Sequence, residues 1–452
     1  MTDLVIRGNR VILPDGIRPA SVHIQAGQII ALAGKTEFPS DCELVDAGDS
    51  VVMPGLIDTH VHVNEPGRTD WEGFETATRA AAAGGITTIV DMPLNSIPPT
   101  TSTDGFKVKL EAARARCLID VAFWGGVIPG NTAELRPMLE AGARGFKCFL
   151  IHSGVDEFPH VTEADLRQAM PELAAIDAVL LVHAELPGPI EEAVEICAGS
   201  DPKLYLSFLQ SRPCAAENEA IALMIRLSQE TGARVHIVHH SSSDALPLLR
   251  KAKTDGGRIT VETCPHYLTF AAEEIPDGAT EYKCCPPVRE RENRERLWES
   301  LSDGTIDMVV SDHSPCTPDL KLKAQGDYLV AWGGIASLQF GLPLIWTQAE
   351  SRGFTLRHLT EWMSQRPAQL AGLDQRKGAL KTGNDADVLI WNPEATFRVD
   401  PEMIHHKHRL TPYNGMRLKG VVEKVFVRGQ KVFDHGKFAA EPCGMMLLRD
   451  SR

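Results

Sequence analysis

Apolar and polar positions along the chain fall into two textures. Up to about residue 55 there are short β-rich runs at 4–6, 10–13, 21–24 and 28–32, punctuated by Asp15-Gly16 and Ala26-Gly27, which predicts short strands joined by turns. The same texture returns after residue 380, at 386–391 and 421–427. The two ends are therefore expected to share a small β-sandwich domain, 1–54 together with 377–452. Between them, eight β-branched runs, at 55–62, 86–92, 119–127, 145–150, 178–185, 234–240, 259–266 and 306–313, alternate with longer Ala-, Leu- and Glu-rich stretches at helical spacing. Repeated βα units over this length predict an α/β fold, a (β/α)8 TIM barrel over 55–376, in preference to an open doubly wound sheet. An open sheet normally announces itself with a glycine-rich nucleotide loop, and neither Gly84-Gly85 nor Gly125-Gly126 forms one.

Composition narrows the partners. The 452 residues are 43% hydrophobic and 23% charged, with a net charge of −14, which is ordinary for a globular protein and excludes collagen-like, mucin-like and wholly disordered readings. No basic block could track a phosphate backbone, so nucleic acid is not an expected partner. No apolar run approaches the roughly 18 to 20 residues that span a bilayer, and the first residues lack the order of a secretory signal. Ten scattered cysteines without a C-x-x-C pair fit a reducing, cytoplasmic setting with mostly buried thiols.

In a barrel of this type the active site lies at the C-terminal ends of the strands. The polar residues there are His60 and His62 on strand one, Lys147 on strand four, His183 on strand five, His239 and His240 on strand six, and Asp312-His313 on strand eight. Residues two apart on a strand share a face, so His60 and His62 can reach one ion. An isolated H-x-H is a weak signal. Imidazoles and a carboxylate at the ends of several strands of one barrel, however, converge on a single pocket and suit a divalent metal.

These segments resemble the cyclic amidohydrolases, the family of dihydroorotases, hydantoinases and allantoinases. The likeness runs nearly end to end, through 54–62 (Pro-Gly-Leu-Ile-Asp-Thr-His-Val-His) and 310–315 (Val-Ser-Asp-His-Ser-Pro). It is closest to the allantoinase branch at 64–73, 145–149 and 331–335. The resemblance implies a two-metal site in which His60, His62 and Asp312 hold one divalent ion, and His183 and His239 the other. Lys147, carboxylated by CO2, would bridge them, because an ammonium offers only donors whereas a carbamate offers two anionic oxygens. Zinc is the first expectation, with manganese, cobalt or iron also compatible. Asp312 would carry a proton from the attacking water to the departing ring nitrogen. From the residues alone, Lys147 reads as a buried cation seeking a carboxylate.

The implied substrate is small. Allantoin ranks first, a general hydantoin or dihydropyrimidine second and dihydroorotate third, because dihydroorotases usually place an arginine two residues after H-x-H and this chain has Asn64 there. Asn64, Cys285 and His152 are the candidate substrate contacts; Cys285 stands where the family often has serine, which leaves backbone groups to do the binding. The loop 151–160 reads equally as a substrate cover or an ordinary connection. His240 is expected to be packed, His266 to touch a ligand or cap strand seven, and His405, His406 and His408 to be solvated. A homotetramer follows from the resemblance. A non-catalytic scaffold relative is the reading from another class, and the intact ligand set argues against it.

Overall fold

The structure, a computed structural model, describes residues 2–449. All eight apolar runs of the middle region form strands: Leu56–Val61, Ile86–Asp91, Asp120–Phe123 continuing as Gly125–Gly126, Phe146–Phe149, Val179–His183, Arg234–Ile237, Ile259–Thr263 and Met308–Val309. Every neighbouring pair is parallel, and a parallel bridge between Val61 and His313 closes the ring. The strands are buried almost throughout because side chains fill the barrel and helices cover its outside. Gly126 has no room for a side chain: a Cβ there would stand 2.5 Å from the Phe158 ring.

The strand boundaries differ from the sequence reading where a proline or a bent backbone intervenes. Strand seven ends at Thr263, and a short helix, Pro265–Thr269, carries His266. Proline suits that first helical position, since it has no N–H to leave unpaired. Strand eight contributes only Met308–Val309 to the ladder, and the chain then turns through Asp312 at φ 46°.

The expected β-sandwich domain is present, and its strands are hydrogen-bonded as one continuous nine-stranded sheet. Val51–Pro54 pairs in parallel with Leu4–Leu13 and antiparallel with Val388–Arg398, which joins the two ends of the chain. Ile6, Val22, Val52, Val388 and Phe426 belong to its separate core. Only Gly55 separates Val51–Pro54 from the first barrel strand, so the end domain is anchored directly to the strand that carries His60. Residues 444–449, counted with the end domain by sequence, run along the third barrel strand, where the Val121 N–H donates to the Met445 carbonyl and the Leu447 N–H to the Val121 carbonyl.

Candidate metal and active site

The six expected donors meet at the C-terminal mouth of the barrel, and all are buried. His60 and His62 flank Val61, whose side chain points into the core. His60 Nε2 lies 3.1 Å and His62 Nε2 3.7 Å from Asp312 Oδ1. The rings of His239 lie 5.3 Å from His60 and 4.6 Å from His183, centroid to centroid. His239 and Asp312 are held at φ 39° and 46°, a left-handed conformation that is costly for residues with a Cβ and persists only where surrounding packing imposes it.

Neighbouring carboxylates fix which ring nitrogen remains available. His60 Nδ1 is bonded to Glu262, which also takes His236 Nε2 at 2.8 Å. His183 Nε2 bonds Glu185 at 2.7 Å, leaving Nδ1. Such partners set tautomer and ring orientation in metal sites. His239 Nδ1 is buried with no partner, an orphaned donor-acceptor that a bound group would satisfy. His60, His62 and Asp312 each bring one ligand atom within 4.8 Å of the others, which fits one divalent ion.

Electrostatics favour the protonation states a cation needs at four of the six donors, His62, His183, His239 and Asp312. Burial pulls His62 down to about 4 and lowers His183 and His239, keeping these imidazoles neutral. For His60, burial opposes the charge, but Asp312 and Glu262 outweigh it and raise its pKa. Burial also works to raise Asp312; His60, His62 and His239 overturn it and hold the carboxyl well below the usual range. Lys147 is fully buried. Its Nζ donates to the Cys148 carbonyl at 3.1 Å and lies 4.0 Å from the Phe149 ring centre, with no carboxylate in ion-pair contact among the described residues. Burial brings it down to about 7. Asp312 and Glu262 lie near enough to favour its charge without forming an ion pair with it, whereas buried Lys109 has a contacting carboxylate in Asp91 at 2.7 Å.

A cavity of about 230 Å³ opens over the donors, lined by His60, His62, His183, His239 and Asp312 and also by Asn95, His152, Arg212, Cys285 and Trp332. Two of the three expected substrate contacts are therefore in its wall. Asn64 is not: it is fully buried and its Nδ2 donates to the Pro315 carbonyl at 3.3 Å. Asn95, held at φ 68°, lies in the wall and stands 3.5 Å from His62 Nδ1. The 151–160 loop contributes His152, Ser153 and Gly154 to the wall, and its Glu157 pairs with Arg68, so it covers one side of the mouth.

Other histidines take places that sequence did not separate. His240 is packed, as expected, and both its nitrogens lack partners. His266 has a ligand atom within 4.8 Å of Asp312 and Cys264. His406 is buried 5.4 Å from the His313 ring, contrary to a solvated position, because the residues around it are tied to Glu72, Asp70 and Gln339. His405 and His408 are half-buried. A further acidic group, Asp120, Asp385 and Asp387, is filled by the Lys377 ammonium at 2.5 to 3.2 Å and is an ion-pair network.

Glu262, Glu185, Arg212 and Asn95 escaped the sequence reading. Glu262 did leave a signal, a lone acid inside the apolar run at 259–263, where burial demands a partner. Glu185, two residues beyond His183, left a weaker one.

The family model described as "Amidohydrolase family" matches residues 51–432. An allantoinase of Streptomyces avermitilis is 52% identical over 449 residues, 99% of each chain. An allantoinase of Arabidopsis thaliana is 46% identical, covering 98% of this chain and 90% of its own. Among solved structures, an L-hydantoinase (dihydropyrimidinase) from Arthrobacter aurescens superposes with a TM-score of 0.94 at 33% identity, covering 99% of this chain and 100% of its own.

Proposed function

This chain belongs to the amidohydrolase family, and from that footing we propose that it hydrolyses the cyclic amide of allantoin to allantoate, a step of purine (ureide) catabolism. The observation that carries the reading is the end-to-end similarity to relatives named allantoinase in bacteria, plants and yeast. The site supports it: neutral imidazoles and an ionised carboxylate meet under a small cavity.

In this reading His60, His62 and Asp312 hold one divalent ion, and His183 and His239 the second. Lys147, as a carbamate, would offer anionic oxygens to both. The state of Lys147 supports that modification: a buried amine drawn toward neutrality has the free electron pair that attacks CO2, forming an N–C bond and releasing a proton. The ions, zinc first, supply acidified water and a polarised carbonyl when bound. Asp312 takes the proton of the attacking water at Oδ2, since Oδ1 already faces His60, His62 and the Ser314 hydroxyl. It then gives a proton to the ring nitrogen, without which an amide nitrogen leaves poorly. His152 and Cys285 contact the ring from the cavity wall. Glu262 and Glu185 keep the ligand rings in their tautomers. A homotetramer and a cytoplasmic location complete the proposal. The ten cysteines, all free, are compatible with a reducing compartment, and no helix among the described residues is long and apolar enough to cross a membrane.

The second reading, a general hydantoinase, is favoured by the likeness to the Arthrobacter aurescens structure. A substrate panel separates the two. On one preparation kcat/KM for allantoin should exceed that for unsubstituted hydantoin, dihydrouracil and dihydroorotate by about 10²-fold or more. A preference for hydantoin or dihydrouracil would replace allantoin as the substrate.

A further inference from the structure

One charged side chain in the cavity wall has no part in the reading above. Arg212 follows the helix Tyr205–Ser211 and precedes Pro213. Proline disfavours helical backbone in the residue before it, so the chain breaks at Arg212, which adopts φ −129°, ψ 72°. Arg289, itself paired with Glu217 at 2.5 Å, donates to the Arg212 carbonyl at 3.3 Å and pins the bend.

The guanidinium is then clamped on one side only. Nε and Nη2 donate to the two oxygens of Glu185 at 3.1 and 2.7 Å, and Glu185 also holds His183. Nη1 makes no hydrogen bond to the described residues and is not sealed from solvent, so it is a donor left available on a side chain that lines the cavity. A guanidinium held by a bidentate carboxylate is rigid and keeps its remaining donors in a fixed direction. Its charge is already balanced by Glu185. A neutral carbonyl gains a charge-assisted bond there, whereas a ligand carboxylate would place a second anion beside Glu185.

We propose that Arg212 is a specificity-determining residue, its Nη1 donating to the carbonyl oxygen of the ureido arm carried by the ring substrate. This rests on the allantoin reading and names the group that recognises the arm, a role for which the buried Asn64 is misplaced. It also predicts that a carboxylate-bearing ring is disfavoured despite an arginine in the wall.

The test uses the metal-loaded full chain, wild type and Arg212→Lys, which keeps a cation for Glu185 but cannot present a second fixed arm. KM for allantoin and Ki for unsubstituted hydantoin, which lacks the arm, are measured on the same preparation with metal content. Both constants are independent of the fraction of active protein, so partial misfolding or metal loss does not obscure the comparison. Arg212→Lys should raise KM for allantoin about 10- to 100-fold, the scale of one hydrogen bond to a charged group, while Ki for hydantoin moves by less than about threefold. The assignment is overturned if both constants rise together, as a merely structural role requires, or if neither moves. Failure of the underlying reading shows separately, as absent allantoin turnover in the wild type, and removes the assignment with it.

Discussion

Lys147 is the residue whose surroundings say most about the site. A buried ammonium ordinarily finds a carboxylate, as Lys109 does in Asp91, and the alternative is to give up its charge. Lys147 faces a carbonyl and an aromatic ring, a setting that suits conversion to an anion which two cations then neutralise. Lys147→Ala should lose bound metal and lower allantoin turnover by at least about 10²-fold, with a short carboxylic acid plus added metal restoring part of both; normal metal content and rate in Lys147→Ala would remove the bridge. The residues that meet at the barrel mouth were legible in the sequence as polar groups at the ends of apolar strands, and their assignment as ligands came from family likeness. Lys147 itself was legible only through family likeness, since no pattern marks a lysine for carboxylation. Asn64 misled because spacing after H-x-H fixes position along the chain but not the direction of a side chain leaving the strand, and here it turns to Pro315.

At the scale of elements, strand seven organises its neighbours. Glu262 lies on Ile259–Thr263, bonds His60 on strand one across a separation of 202 residues, His236 on strand six at 2.8 Å, and the backbone N–H of His239 at 3.3 Å. Burial opposes its ionisation, yet His60 and His236 bring it down to about 2. One carboxylate thus orients donors assigned to both ions. Glu262→Gln keeps the shape but sets an amide N–H against an imidazole N–H, so metal affinity should fall about 10- to 100-fold with the fold retained, as read by titration against a competing chelator. Unchanged affinity would leave Glu262 a packing residue. The eight strands were readable from apolar runs and turn residues; their partners across the barrel were not, because a contact such as Glu262–His60 depends on ring closure and leaves no local trace. The end of strand seven was misplaced for a simpler reason, the proline at 265 that starts a helix.

Across the whole molecule, buried ion pairs lock the barrel to the end domain. Lys377 joins Asp120 on barrel strand three to Asp385 and Asp387 beside the end-domain strand, Arg428 also reaches Asp120, and the terminal segment binds the same barrel strand through Val121. A buried network of this kind is costly to break by removing one member, which fixes the C-terminal part of the end domain to barrel strand three, while Val51–Pro54 ties the sheet to the strand leading into His60. The pairing of chain ends was visible in their shared strand texture, whereas the single continuous sheet and the strap of residues 444–449 were not, since neither has a compositional mark. This scaffold is proposed to present six donors to two divalent ions that are required for opening allantoin. The most direct measurement is allantoin turnover alongside metal analysis on one preparation, before chelation, after it, and after re-addition of a single divalent metal with bicarbonate. The active protein should hold about two ions per chain, lose turnover in step with loss of metal, and recover it on reconstitution. Full turnover in demonstrably metal-free protein would contradict it.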